Sequence, residues 1–145
     1  TCLGGKKRRK SEVIFTALGD LDELTAVLGL ARAFSNKRRI KKISLSLQED
    51  LINLGGVLVG LKKVDFQGKT IALEKEITRL SRVPRKEFVR PGANKTSAFL
   101  HLCRAIARRL ERRVIGLKDK KFDREIVWLN RLSLFLFWLA VKEEK

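Results

Sequence analysis

The apolar repeat between Ile40 and Leu58 is the feature that most constrains what this chain can fold into. Apolar side chains recur there at spacings of three and four residues: Ile40, Ile43, Leu47, Leu51, Leu54 and Leu58. That spacing places them on one face of an α-helix, whereas a strand would need a period of two. The segment from Asn36 to Leu58 is therefore predicted to be a helix with one buried face.

Four further segments show the helical period, and none shows the alternation of a strand. Their expected bounds are Asp20 to about Ser35, Thr70 to about Arg82, Asn94 or Thr96 to about Leu117, and a last helix from about Asp123 that includes Leu139. Pro84 and Pro91 fall between the third and fourth helices, where they disfavour helical backbone. The 145 residues are therefore predicted to form one all-α domain, a five-helix bundle whose four-helix core runs up and down in the ferritin-like style.

The chain is strongly basic, with 33 Lys and Arg residues against 16 Asp and Glu residues and a formal net charge of +17. A field of that sign attracts nucleotides, nucleic acids and anionic membranes. The most apolar stretch, residues 126–141, contains Asn130 and Arg131 and is too interrupted for a membrane span. Cys2 and Cys103 indicate neither a disulfide framework nor a metal site, so we expect a reducing, cytoplasmic setting and no protein-bound metal.

Two groups of basic residues are candidates for anion binding. The first, Lys6 to Lys10, lies in a segment without helical apolar spacing, so Thr1 to Ser11 is expected to be a loop or flexible arm. The second is a column of arginines, Arg104, Arg108 and Arg112, spaced four residues apart on one helix face. Stacked like charges destabilise a helix, so this column implies an anionic ligand or nearby carboxylates; a solvated basic face is the alternative.

Polar residues on the other helices favour a ligand site over a solvated face. Asp22 and Glu23 are placed to pair with an arginine and fix its geometry. Asn130 and Arg131 interrupt an apolar helix, where burial is costly unless they meet partners; a polar strip between helices is the alternative. His101, the single histidine, has no metal-ligand neighbour at suitable spacing, so a structural or solvent-facing role is expected.

Four motifs follow one another along the chain. They are Gly5-Lys6-Lys7-Arg8-Arg9-Lys10, Ala17-Leu18-Gly19-Asp20-Leu21-Asp22-Glu23-Leu24, Arg104-Ala105-Ile106-Ala107-Arg108-Arg109-Leu110-Glu111-Arg112-Arg113, and Asn130-Arg131-Leu132-Ser133. In this order they resemble the signatures of the propanediol-utilisation type of ATP:corrinoid adenosyltransferase, over nearly the whole chain. The resemblance implies a five-helix subunit assembled as a homotrimer, with ATP bound between neighbouring subunits.

The resemblance also implies a role for each site residue. The nucleotide-binding set is Thr1, Gly5 and Lys10 of a basic N-terminal arm (residues 1–18), with Arg108, Arg109, Glu111, Arg112 and Asn130. The catalytic set is Asp22, Phe88, Arg108 and Arg112. Asp22 is implied to pair with Arg108 across or near the subunit interface, and Phe88 to pack beneath the corrin ring and keep the lower cobalt ligand away.

The implied reaction is attack of Co(I) in cob(I)alamin on the 5′ carbon of ATP, giving adenosylcobalamin and triphosphate. No side chain has to act as nucleophile, because positioning and neutralisation of the leaving triphosphate suffice. Mg²⁺ is expected to arrive with the ATP, held mainly by phosphate oxygens. A corrinoid reductase is a further expected partner, while nucleic acid and membrane are not expected.

Three features depart from the family pattern. Leu134 stands where relatives usually carry Asp, Gly92-Ala93-Asn94 replaces a more glycine-rich turn, and the family's Thr-Gly-Asp phosphate loop would precede Thr1. A nucleotide-binding relative with little turnover is therefore one alternative. A basic helical nucleic-acid-binding module is another, favoured by the net charge, although it gives Asp22 and Asn130 no role.

Overall fold

The computed structural model describes residues 2–82 and 89–145, with the side chains of residues 2–8 excepted. The helices of this part are α1 (Cys2–Phe34), α2 (Arg38–Leu58), α3 (Phe66–Leu80), α4 (Lys95–Ile115) and α5 (Asp123–Glu143), with a 3-10 turn at Lys120–Phe122. No strand occurs in the described ranges, so the predicted all-α class and the five helices are confirmed. None of these helices is long and apolar enough to cross a bilayer.

Helix α4 occupies the middle of the bundle. It packs along α1 on one side and along α5 on the other, while α2 covers α1 and α3 covers α5. Lys69 of α3 joins Asp50 of α2 at 2.7 Å. Cys103 of α4 is fully buried in the core, and burial raises the pKa of its thiol to about 12. The arginines of α4 therefore have a neighbouring helix on each side.

The first helix begins much earlier than the sequence predicts. A loop or arm is expected over Thr1 to Ser11 and a helix start at Asp20, but α1 is continuous from Cys2 through Gly19. Apolar side chains before Gly19 extend the core-facing side of the helix: Val13, Ile14 and Ala17. Their packing outweighs the cost of about 1 kcal/mol for one glycine in a helix. The expectation of a loop was therefore wrong for the described part of the segment.

Helix α3 also begins one turn earlier than predicted. The sequence indicates a break up to Lys69, yet the Asp65 carboxylate accepts a hydrogen bond from the backbone N–H of Gly68 at 3.1 Å and caps a helix that starts at Phe66. The Phe66 side chain is fully buried, and its ring meets that of Trp128 at a centroid distance of 5.1 Å. Burial of this aromatic pair thus fixes the helix start.

Asn94 fixes the start of α4. Its side-chain oxygen accepts a hydrogen bond from the Ser97 backbone N–H at 2.8 Å, and its amide nitrogen donates to the Glu143 carbonyl at 2.6 Å. One side chain therefore caps α4 and holds it against the last turn of α5. Of the two caps that the sequence allows, Asn94 is the one that forms.

Candidate functional site

The α1 side of α4 carries a cluster of ion pairs centred on Asp20. The Nε of Arg109 donates to one Asp20 carboxylate oxygen at 2.9 Å, and the Nε of Arg113 donates to the other at 3.2 Å. Glu23 accepts a further hydrogen bond from Arg109. Asp20 is only 7% exposed. The hydrogen bond to Asp20 makes the largest contribution to raising the pKa of Arg109 above its ordinary value, and Glu23 adds to it. The guanidinium therefore stays charged.

The predicted pairing of Asp22 with Arg108 does not form within the subunit. Asp22 is exposed on α1, and Arg108 is exposed on α4 beside the cleft toward α5. Asp20, the expected start of the first helix, lies inside α1 and is the buried carboxylate that meets the arginines of α4. A contact between Asp22 of one subunit and Arg108 of another stays a prediction.

The α5 side of α4 carries a chain of hydrogen bonds through Asn130. Its Nδ2 donates to the Glu111 carboxylate at 3.0 Å, and its Oδ1 accepts from Nη1 of Arg131 at 2.7 Å. The Nε of Arg131 donates to Glu74 of α3 at 3.1 Å. Both polar residues of this apolar helix thus have partners within the subunit, as the alternative of a polar strip between helices describes, and their role in ligand binding stays a prediction. This chain of hydrogen bonds also brings together Glu111 and Asn130, two of the predicted nucleotide-binding residues.

A cleft of about 310 Å³ lies beside this chain, between α4 and α5. Its lining combines cations, an amide and apolar groups: Arg104, Arg108, Asn130, Ser133, Leu134 and Phe137. The Nε of Arg104 is buried and has no hydrogen-bond partner among the described residues. An unsatisfied buried donor costs about 1–3 kcal/mol, so this atom is suited to an acceptor that enters the cleft.

The N-terminal candidates are placed only in part. The Nζ of Lys10 lies 3.8 Å from the Asp119 carboxylate, which brings the start of α1 next to the C-terminal end of α4. Gly5 lies within α1. Thr1 and Phe88 lie outside the described residues.

Comparison with known proteins decides the family. Residues 1–143 match the family model described as cobalamin adenosyltransferase. The chain belongs to the cobalamin adenosyltransferase family. A corrinoid adenosyltransferase of Citrobacter freundii is 33% identical, with 97% of this chain and 86% of that protein covered. Corrinoid adenosyltransferase MMAB of Bos taurus is 35% identical over 94% of this chain and 63% of its own length. The chain thus spans about three fifths of the length of its mammalian relatives.

Solved structures of the family share the fold. A variant of the PduO-type ATP:corrinoid adenosyltransferase from Lactobacillus reuteri, complexed with cobalamin and ATP, superposes with a TM-score of 0.79 at 25% identity. The match covers 90% of this chain and 77% of that one. A second variant from the same organism, complexed with ATP, gives a TM-score of 0.81 at 24% identity, over 93% and 82% of the two chains.

Three residues of the site were missed or left without a role by the sequence interpretation. Buried Asp20 pairs with the half-exposed Arg113, and Glu74 ends the chain of hydrogen bonds through Asn130. A signal for Arg113 was present, since it follows Arg109 by four residues and shares its helix face. Nothing in the local sequence marks Glu74, because its partner lies 57 residues away. His101, 7% exposed and 3.1 Å from Glu144, takes a structural position near the end of α5.

Proposed function

We propose that this chain is an ATP:corrinoid adenosyltransferase. Co(I) of a corrinoid attacks the 5′ carbon of ATP with its electron pair, the C5′–O bond breaks, and triphosphate leaves. The observation that carries the proposal is the arginine face of α4 in a protein of this family. Exposed Arg108 lines the cleft together with Arg104 and Asn130, and exposed Arg112 follows one turn further along the helix. Cations in that arrangement stabilise the negative charge that develops on the leaving triphosphate.

The arginines of α4 have separate roles in this proposal. Arg108 and Arg112 lie one turn apart, about 5–6 Å along the helix axis, so they can contact separate phosphoryl groups. Arg109 is already paired with Asp20 and Glu23, and we assign it the support of α4 on α1 rather than a direct bond to phosphate. The protein contributes position and charge, since the cobalt itself is the nucleophile.

The site is completed between subunits of a homotrimer. Asp22 and Arg108 are both exposed on the isolated subunit. Asp22 of one subunit is therefore free to contact Arg108 of a neighbouring subunit across an interface. Lys10, together with Thr1 and Gly5 of the same segment, supplies groups for the triphosphate. Phe88, from the connection between α3 and α4, covers the lower face of the corrin.

The remaining partners follow from the chemistry of the substrates. Mg²⁺ is assigned to the oxygens of the triphosphate, because cations and an amide, not carboxylates, line the cleft. Co(I) has to be supplied by a reductase that acts on corrinoids. The cytoplasmic setting remains part of the proposal, since a free, buried Cys103 suits a reducing compartment.

The deciding experiment mixes the protein anaerobically with chemically reduced cobalamin, Mg²⁺ and ATP and follows absorbance. We expect loss of the Co(I) band and growth of adenosylcobalamin, and a loss of at least about a hundredfold in rate for Arg112→Ala, which removes a charge contact to the leaving group. Arg38→Ala, an exposed arginine on α2, is the matched control and keeps the rate. Absence of conversion together with tight, salt-sensitive nucleic-acid binding would overturn the proposal.

A further inference from the structure

We infer that Glu74 and Arg131 are positioning residues that orient Asn130 toward the nucleoside part of ATP. The inference rests on the proposed function. Neither residue touches the cleft in the lining described above. They act through Asn130, which does line it, and through one chain of hydrogen bonds that joins α3, α5 and α4.

The chain of hydrogen bonds fixes which end of the Asn130 amide points where. A carboxylate only accepts hydrogen bonds and a guanidinium only donates them. Glu111 therefore requires the amide nitrogen, and Arg131 requires the amide oxygen. A flipped amide would set oxygen against carboxylate and NH2 against guanidinium, so two unfavourable contacts exclude it.

The orientation leaves one donor and one acceptor of Asn130 unused. The NH2 group carries a second N–H beyond the bond to Glu111, and Oδ1 has a second lone pair beyond the bond from Arg131. A donor next to an acceptor matches a hydroxyl or a nucleobase edge, which offer both functions. Triphosphate oxygens only accept and are matched by Arg108 and Arg112. Asn130 is thus assigned to the nucleoside and the arginines to the phosphates.

Glu74 holds Arg131 in place for this task. The side chains of Glu74 and Arg131 are 48% and 37% exposed, and ion pairs with that exposure add little to folding stability. The pair therefore acts mainly on the direction of the Arg131 guanidinium, which otherwise has many rotamers. Loss of Glu74 frees Arg131 and with it the amide of Asn130.

The direction of the change in ATP affinity on replacing Glu74 distinguishes a loss of positioning from a general electrostatic effect. Glu74→Gln removes one negative charge, so a pure charge effect strengthens the binding of anionic ATP. Loss of the positioning of Asn130 instead weakens the binding of ATP. Glu76→Gln makes the same change of charge on the same helix but breaks only the local pair with Arg79, so it is the matched control.

The test measures the dissociation constants of ATP and of inorganic tripolyphosphate by calorimetric titration of the full chain. For Glu74→Gln we expect ATP to bind about threefold to fivefold more weakly, the range of an exposed ion pair, while tripolyphosphate binding is unchanged or tighter. Glu76→Gln should not weaken ATP. Steady-state rates should show a raised KM for ATP and an unchanged KM for the corrinoid, which a merely structural change would not produce.

Each other outcome overturns the inference. Equal ATP affinity in the wild type and in Glu74→Gln removes the positioning role but leaves the proposed function intact. Equal weakening of ATP and tripolyphosphate assigns the effect to the phosphate site instead. If the wild type binds neither ligand, the proposed function has failed and the inference falls with it.

Discussion

Glu125 is a buried carboxylate whose charge the fold compensates only in part, through a backbone hydrogen bond and the neighbouring Arg124. It is 6% exposed in the first turn of α5, and one of its oxygens has no hydrogen-bond partner among the described residues. Burial raises its pKa above the ordinary value. The folded state then binds a proton more tightly than the unfolded state, so stability is lost as pH rises from the unfolded pKa through the folded one.

Replacement of Glu125 should therefore stabilise the protein near neutral pH. We expect Glu125→Met, which keeps the chain length without the charge, to raise the free energy of unfolding at about pH 7 by on the order of 1 kcal/mol. The gain should shrink at about pH 4, where the glutamate is largely protonated in both states. Urea denaturation at the two pH values measures this, with exposed Glu49→Met as control. A gain that is equal at both values would contradict the argument.

At the level of single residues, the sequence locates the charged site but not its exact partners. The motifs predict that acidic residues of α1 pair with arginines of α4, and the two groups lie in contact in the structure. The choice between Asp20 and Asp22 depends on the rotation of α1, since each residue along a helix turns the side chain by about 100°. That rotation is set by the packing of Val13, Ile14 and Ala17, which a prediction that started the helix at Asp20 did not use.

At the level of helices, the Asn94 cap sets the position of the arginine-bearing α4. Asn94→Ala removes both the cap and the bond to the Glu143 carbonyl, and should lower the free energy of unfolding by about 1–2 kcal/mol. Asn94→Ser keeps a side-chain acceptor for the Ser97 N–H and loses the donor to the Glu143 carbonyl, so an intermediate loss is expected. Urea denaturation checks the order, with the exposed Asn36→Ala as control. A serine variant as unstable as the alanine variant would contradict the capping role.

The helices themselves were largely predictable, but the starts of α1 and α3 were not. The period of apolar residues identifies α2 and α5 correctly because it reports directly which face is buried. The starts of α1 and α3 were missed because the basic run Lys6 to Lys10 and the stretch Asp65 to Lys69 lack the apolar spacing of a helix. In the fold, burial of Ile14 and Phe66 carries each helix further. A signal for the longer α1 was present, because Ile14 and Ala17 continue the helical spacing of Leu21 and Leu24.

At the level of the whole molecule, the proposed trimer predicts that exchanging the charges of Asp22 and Arg108 by mutation preserves assembly. Sedimentation should give three times the subunit mass of 16.6 kDa. Asp22→Arg should weaken both assembly and conversion by at least about tenfold, because it sets like charges against each other at the interface. The double variant with Arg108→Asp restores the attraction with reversed sign and should recover assembly. A trimer unaffected by Asp22→Arg would show that these residues do not meet.

The shared carboxylate of Asp20 gives the bundle a tolerance to mutation. Two arginines one turn apart donate to its separate oxygens, so the loss of either guanidinium still leaves Asp20 paired. No other side chain at position 20 offers two short-range acceptors of this geometry, so the aspartate itself is much less replaceable than its partners. Over evolutionary time, α4 can therefore exchange an arginine for a residue that suits a new ligand while α1 and α4 stay joined.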